Sequence, residues 1–381
     1  MEDAMSAVIQ KLTIVLIGFA LLALGGCGSS GSKVCNLASG CCGNNPAACP
    51  IQQFLYANGI NGQIATFPVT TGGALGTPTL TPGASISLGM AALNMQFLYA
   101  SNAMPASGSA IDAWAITPGT GALTTVPNSP FSLGVFSLAG GLAIDSAARV
   151  LYVADAGRID ALQSDPATGA LTALANSPFA SGSNVYLTVD PANKFLFAAD
   201  DDPPGGVFAF TIDSMGNLTP VPNSPFAATT NLGASSQPGE IVVDPTGSFV
   251  YTPLTATAQV AGFAITPATG ALTPVPGSPF PAGNVPLAIT ASNNFVYVSN
   301  ALDGTVSGYN ITAGSGVLTP VPGSPFAIAA GALTIRNGSF LYASTGAGIR
   351  VFVITPQTGA LSEVNGSPFP GPGATVLAFL P

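Results

Sequence analysis

Histidine is absent from all 381 residues, and lysine and arginine together number only 7. The first absence removes Ser-His-Asp and Cys-His nucleophile systems, His-ligated metal sites and imidazole proton shuttles. The second removes the cationic footprint that a nucleic-acid partner requires. It also argues against phosphorylated substrates, which usually meet an Arg or Lys clamp. Charge of either sign is scarce, at 6% of residues against about 25% in an ordinary soluble domain. The 16 Asp and Glu leave a net charge of -9. No motif calls for a cofactor. The one formal G-x-G-x-x-G, Gly26 to Gly31, neither follows a predicted strand nor opens a helix. Turn formers and core formers are both plentiful, with 46 Gly, 34 Pro and 21 Phe, which predicts a turn-rich all-β chain.

The first fifty residues carry an address. Leu12 to Leu24 is uncharged and apolar. It falls short of the about 20 residues that span a bilayer and has the length of a signal-peptide core, with Lys11 as its positive flank. Glu2 and Asp3 fit that role poorly, so Met5 is a second candidate start. The run ends in Leu24-Gly25-Gly26-Cys27, which resembles the lipobox of bacterial lipoproteins. The resemblance implies a signal peptide over 1–26, acylation of Cys27 and a membrane partner through the lipid. Gly28 after the cysteine makes the outer membrane the expected location. Cys35, Cys41, Cys42 and Cys49 follow a Gly/Ser tether, and in an exported chain they predict a disulfide-stapled knot over 27–50. A Cys41–Cys42 pairing is geometrically poor, and a four-thiolate metal site lacks its C-x2-C pair.

The remainder is one motif repeated. Ser-Pro-Phe starts at Ser129, Ser177, Ser224, Ser278, Ser324 and Ser367, each with a glycine eight residues earlier. A degenerate copy reads Gly73 to Gly83. A second marker, an aromatic after a polar turn, falls at Tyr56, Tyr99, Tyr152, Phe197, Tyr251, Tyr297 and Tyr342, with gaps of 43 to 54 residues. That period suits a four-stranded propeller blade. In the unit 240–283 the strands are predicted at 240–244, 249–251, 259–265 and 271–275. Pro274, Pro220 and Pro320 mark the outermost strand, where a missing N–H costs no ladder bond. Phe280 is the expected plug between blades. The Tyr56 copy lacks an inner strand, and Ala374 to Phe379 is an inner strand without a blade. The two complete one another, giving a monomeric seven-bladed β-propeller over 51–381, its ring closed by the C-terminal strand.

The Asp190-Pro-Ala-Asn-Lys-Phe-Leu-Phe197 and Asp244-Pro-Thr-Gly-Ser-Phe-Val-Tyr251 units resemble those of the lactonase-type seven-bladed propellers and the related YVTN-repeat surface proteins. The 6-phosphogluconolactonase members of that group carry G-P-R-H opening an inner strand. Here the matching stretch is Gln237-Pro238-Gly239-Glu240, and Thr255 stands where the resemblance implies a glutamate. Eleven residues before each aromatic marker lies the start of an inner strand; of these positions only Tyr186 and Glu240 have polar chemistry to offer a ligand at the channel mouth. Glu240 is the candidate general base, weighed against a solvated surface carboxylate. Asp145, Asp190 and Asp244 recur as turn caps, and Asn102, Asp155, Asp200 and Asn300 as turn residues. Asp200, Asp201 and Asp202 form an acidic loop and a candidate cation site. Arg149, Arg158, Lys194, Arg336 and Arg350 are placed in turns or outer strands.

The leading expectation is a lipid-anchored envelope propeller that binds a ligand, glycan or protein partner without catalysis. The alternatives are a divergent lactonase with Glu240 as base, and a surface-layer or adhesive scaffold.

Overall fold

The computed structural model describes residues 53–379, apart from 60–61, 84–86, 103–107, 135–138, 156, 183, 201–204, 229–239 and 372–373. Cys27, Cys35, Cys41, Cys42 and Cys49 lie outside the described residues.

Every described element is a strand, and the strands form seven antiparallel sheets in chain order, one per repeat. Blade five shows the logic. Phe249–Leu254 pairs with Gln259–Ile265, which pairs with the short outer strand Leu272–Pro274. The first strand is shorter than its sequence suggests, only Val242–Val243. Pro274 does stand on the outer edge, as do Pro220 and Pro320. These three edges are thus blunted by proline rather than by lysine, of which the propeller has one, Lys194.

The ring closes as expected. Ala374–Phe379 pairs with Gln53–Gly59 and becomes the innermost strand of blade one, followed outward by Gln63–Val69 and Thr79–Pro82. Because strands alternate in direction, the first-to-second and third-to-fourth turns share one face of the disc. The second-to-third and fourth-to-first connections share the other, which we call the crossover face.

The core is divided between blades. One cluster joins Tyr152 and Val150 of blade three to Leu196 and Phe210 of blade four; the next joins Phe197 to Val250 and Phe263 of blade five. Phe280 is buried against Ile289, Val296 and Tyr309 of blade six, as a plug should be. It also pairs in a short fifth strand with Val260 of its own blade. The serine of each Ser-Pro-Phe accepts a backbone N–H from the third strand, as Ser278 does from Gly262 at 2.9 Å and Ser324 from Gly308 at 2.9 Å. These serines are structural.

The aromatic markers do more than fill space. Tyr56 donates its hydroxyl to the Gly121 carbonyl of blade two at 2.8 Å. Tyr99 does so to Gly169, Tyr152 to Gly216, Tyr251 to Gly316, Tyr297 to Gly359 and Tyr342 to Gly73. Each acceptor belongs to the next blade, and the last bond crosses the closure. Burial pushes the Tyr99 and Tyr342 phenols up to about 12, so both remain donors.

The acceptor must be glycine. Gly316 has φ +71°, and a Cβ there would stand 2.4 Å from Cδ1 of Phe249. Gly314, two residues away, has φ +77° and open space where its Cβ would be. Gly314→Ala should cost only the left-handed strain, about 1–2 kcal/mol. Gly316→Ala should cost about 1–3 kcal/mol more, from overpacking. Urea denaturation of the two variants checks the difference; equal losses would show that Phe249 yields freely.

The predicted turn caps hold. Asp190 accepts the N–H groups of Ala192, Lys194 and Phe195, and Asp244 those of Thr246, Ser248 and Phe249. Asp145 accepts those of Ala147 and Ala148.

Candidate functional site

Glu240 enters blade five on the crossover face. It is not the solvated carboxylate considered from sequence: only 3% of it is exposed. Its backbone and side chain both turn to the innermost strand of blade six, Pro286–Ala291. Glu240 N–H donates to the Leu287 carbonyl at 3.3 Å, and Oε2 accepts the Ile289 N–H at 2.8 Å. Oε1 is buried and has no hydrogen-bond partner among the described residues. Burial raises the carboxyl pKa well above the ordinary glutamate value; the single hydrogen bond from Ile289 opposes this only in part. A carboxyl of this kind holds its proton where a surface glutamate has lost it, and it has a free oxygen with which to give or take one.

Thr255, at the position where the resemblance implies a glutamate, reaches the same strand and donates its hydroxyl to the Pro286 carbonyl at 3.0 Å. The register of that strand against Phe295–Asn300 shifts between Pro286 and Ile289. The innermost strands of blades one, three and four shift register at the same end, so the bulge is a device of the repeat. The structure brings Glu240 and Thr255 to one irregular strand opening. Neither the bulge nor the orphan oxygen had a sequence signal.

Tyr186 lies at the interface of blades four and five instead. It is 7% exposed and packs in the apolar cluster between blades four and five with Phe195, Ile241 and Val243. Counting residues back from the marker finds its height along the strand but not the side to which its ring turns. Asp200 ends the second strand of blade four, and Asp201 and Asp202 lie outside the described residues. Among the described residues no three His, Cys, Asp or Glu side chains gather as for a metal ion.

The repeated polar residues after the markers are braces more than turn formers. Asn102 donates to Asp112 at 2.9 Å. Asn300 donates to Thr305 and Ser307 and accepts the Gly283 N–H of the incoming crossover. Asp155 pairs with Arg158 at 2.9 Å, and Arg158 also meets Asp160 at 3.1 Å.

All five cations of the propeller are accounted for. Arg149 and Lys194 lie in first-to-second turns, on the face opposite Glu240. Arg336 corrects the expectation: it ends the innermost strand of blade seven. On that same opposite face it binds Gln53 and the Thr70 carbonyl. Arg158 opens a strand on the crossover face but is held by its two aspartates. Arg350 is paired with Glu363 at 2.6 Å, and that bond holds the Glu363 carboxyl down at about 2. The opposite mouth of the channel is a basin of about 90 Å³ lined by Leu142, Ile144, Leu187, Val242 and Ile335. Ligand pockets commonly run to about 300–1,000 Å³.

Seven antiparallel blades in chain order, closed into a ring by the C-terminal strand, define the class as a seven-bladed β-propeller. A family model described as lactonase, 7-bladed beta-propeller, matches residues 97–372, and the chain belongs to that family. Among solved structures, a 6-phosphogluconolactonase candidate from Bacteroides uniformis is 20% identical with TM-score 0.70, covering 87% of this chain and 99% of its own. A second candidate, from Bacteroides fragilis, is 19% identical with TM-score 0.71, covering 87% and 98%. The periplasmic gluconolactonase of Pseudomonas aeruginosa is 18% identical with TM-score 0.66, covering 86% and 99%. At these identities the likeness is one of fold. A search of curated proteins finds no match.

Proposed function

We propose that this propeller hydrolyses an uncharged lactone, with Glu240 as the acid-base group. The observation that carries the reading is the buried carboxyl with one oxygen fixed by Ile289 and the other free. Family membership supports it. In the ionised form Glu240 takes a proton from water as the water oxygen bonds to the lactone carbonyl carbon. When the ring C–O bond breaks, the proton passes to the leaving alkoxide, and a hydroxy acid results. The charge inventory selects the substrate. Arg158 and Arg350 are both bound to carboxylates, so among the described residues of the crossover face no unpaired guanidinium awaits a phosphate.

The purified protein should open plain aldonolactones faster than their phosphorylated forms. Glu240→Gln should lose about a hundredfold or more. If no lactone is turned over, while wild type and the Gln variant bind a plain lactone equally, the chain is the non-catalytic binding module instead.

The proposal includes the address. Cys27 carries the lipid that holds the propeller at the cell envelope, on the strength of Leu24-Gly-Gly-Cys27. Cys27→Ser should release the protein from the membrane fraction or leave it uncleaved. A mature-sized variant still in that fraction would reverse this part.

A further inference from the structure

Val285 is held in a backbone conformation that its side chain opposes. Its φ is +54°, and among the nine described non-glycine residues with positive φ it is the only β-branched one. A β-branched residue tolerates that region least, and the residue before a proline, here Pro286, favours extended backbone. Strain of this kind persists only where the surroundings impose it.

Here the imposing element is one turn of the same blade. Residues 301–304 join Phe295–Asn300 to Thr305–Ile311 on the crossover face. From that turn Ala301 N–H donates to the Val285 carbonyl at 2.9 Å, and Leu302 N–H to the Asn284 carbonyl at 3.3 Å. Asp303 grips the same segment with both oxygens. Its Oδ2 accepts the Asn284 N–H at 2.7 Å, and its Oδ1 accepts the Asn284 side-chain amide at 2.9 Å. These bonds hold the Asp303 carboxyl below the ordinary aspartate range, so the grip is charge-assisted. The strain falls beside the candidate site. Val285 leads directly into Pro286–Ala291, whose Leu287 carbonyl and Ile289 N–H are the hydrogen-bond partners of Glu240. A return of Val285 to extended backbone would redirect the chain at Pro286 and carry those partners away. Glycine would adopt this φ freely, so valine makes the strand opening depend on the clamp.

We propose that Asp303 is a positioning residue for Glu240: by clamping Asn284 it keeps Val285 in its strained conformation, and so fixes the strand opening that carries the Leu287 carbonyl and the Ile289 N–H. The clamp stands on geometry alone. Its consequence for activity rests on the hydrolase reading.

Hydrogen exchange on the whole protein tests this, read at the Ile289 amide, whose hydrogen is bonded to Glu240. Asp303 and Asn284 are exposed, so their substitution leaves the core intact. Asp303→Ala should speed that exchange by about tenfold, because Val285 is then free to relax. Adding Val285→Gly to that variant should bring exchange back to within about threefold of wild type, since glycine keeps a positive φ without a clamp. Loss of a merely stabilising surface bond would not be repaired by removing the Val285 side chain. The kcat for a plain lactone should fall in Asp303→Ala and recover in the double variant. If Asp303→Ala fails to fold, Asn284→Ala, which removes one of the two bonds, is paired with Val285→Gly in the same way. Unchanged exchange in the clamp variant overturns the proposal, and so does a rise that Val285→Gly fails to repair. A wild-type protein that opens no lactone, with exchange and rescue as expected, removes the hydrolase reading and leaves the clamp standing.

Discussion

Deleting 374–381 should leave a protein that no longer melts cooperatively at the wild-type temperature. The segment supplies the innermost strand of blade one, and its Val376, Leu377, Ala378 and Phe379 are buried. Leu377 and Phe379 belong to the cluster shared with blade seven, and Val376 and Ala378 to the cluster shared with blade two. Phe379 meets Tyr342 edge-on at 4.7 Å, and Tyr342 is the residue whose hydroxyl reaches back to Gly73. Burying Val, Leu and Phe side chains contributes about 1.5–3 kcal/mol each. Their joint loss is comparable to the whole stability of a native protein, about 5–15 kcal/mol. The loss also bares a sheet edge along Gln53–Gly59. Circular dichroism and size-exclusion chromatography check it: the truncated chain should melt broadly or associate through the bared edge. A monomer that melts with the wild type would mean that closure contributes little.

Closure was legible because the repeat is strict. An orphan inner strand at one end and a blade missing that strand at the other admit one antiparallel pairing. The blades, their outer prolines and the Asp190 and Asp244 caps were legible for the same reason: each is a local device, spelled out within one repeat. What escaped the sequence lies between repeats. The marker tyrosines and the glycines were both visible, and Tyr99 and Gly169 are 70 residues apart. Nothing local says that one donates to the other, since the bond exists only when two blades lie side by side. Glu240 escaped for a related reason. Its height on the inner strand could be counted, but its burial depends on Ile289, which belongs to the next blade. Which interface receives the Tyr186 ring is likewise a matter of phase and neighbour.

Glu240→Gln should make the protein more stable as pH rises, while removing its activity. Burial raises the carboxyl pKa of the folded protein above the ordinary value of 4.5. In the unfolded chain the group titrates near that ordinary value. Between the two values the folded state holds a proton that the unfolded state has lost. Stability therefore falls with pH across that window, by about 1.4 kcal/mol for each unit at full effect. The wild-type stabilisation from a neutral Glu240 is whole below pH about 4.5, and it is lost as pH rises through the folded value. Glutamine stays neutral throughout and still offers an oxygen to the Ile289 N–H. The melting-temperature advantage of Glu240→Gln should thus be small at pH 4, grow as pH rises above the ordinary glutamate value, and level off once pH passes the folded value. If Glu240 is the base, wild-type kcat/KM must rise over the same window, because only the ionised carboxyl takes a proton from water. The inflection of the activity profile and the levelling of the stability difference report one carboxyl, so they should fall at the same pH. A stability difference that stays flat from pH 4 to 9 would place Glu240 in water. A stability difference that behaves as expected beside an activity profile with no such inflection would leave Glu240 buried and assign the chemistry to another group.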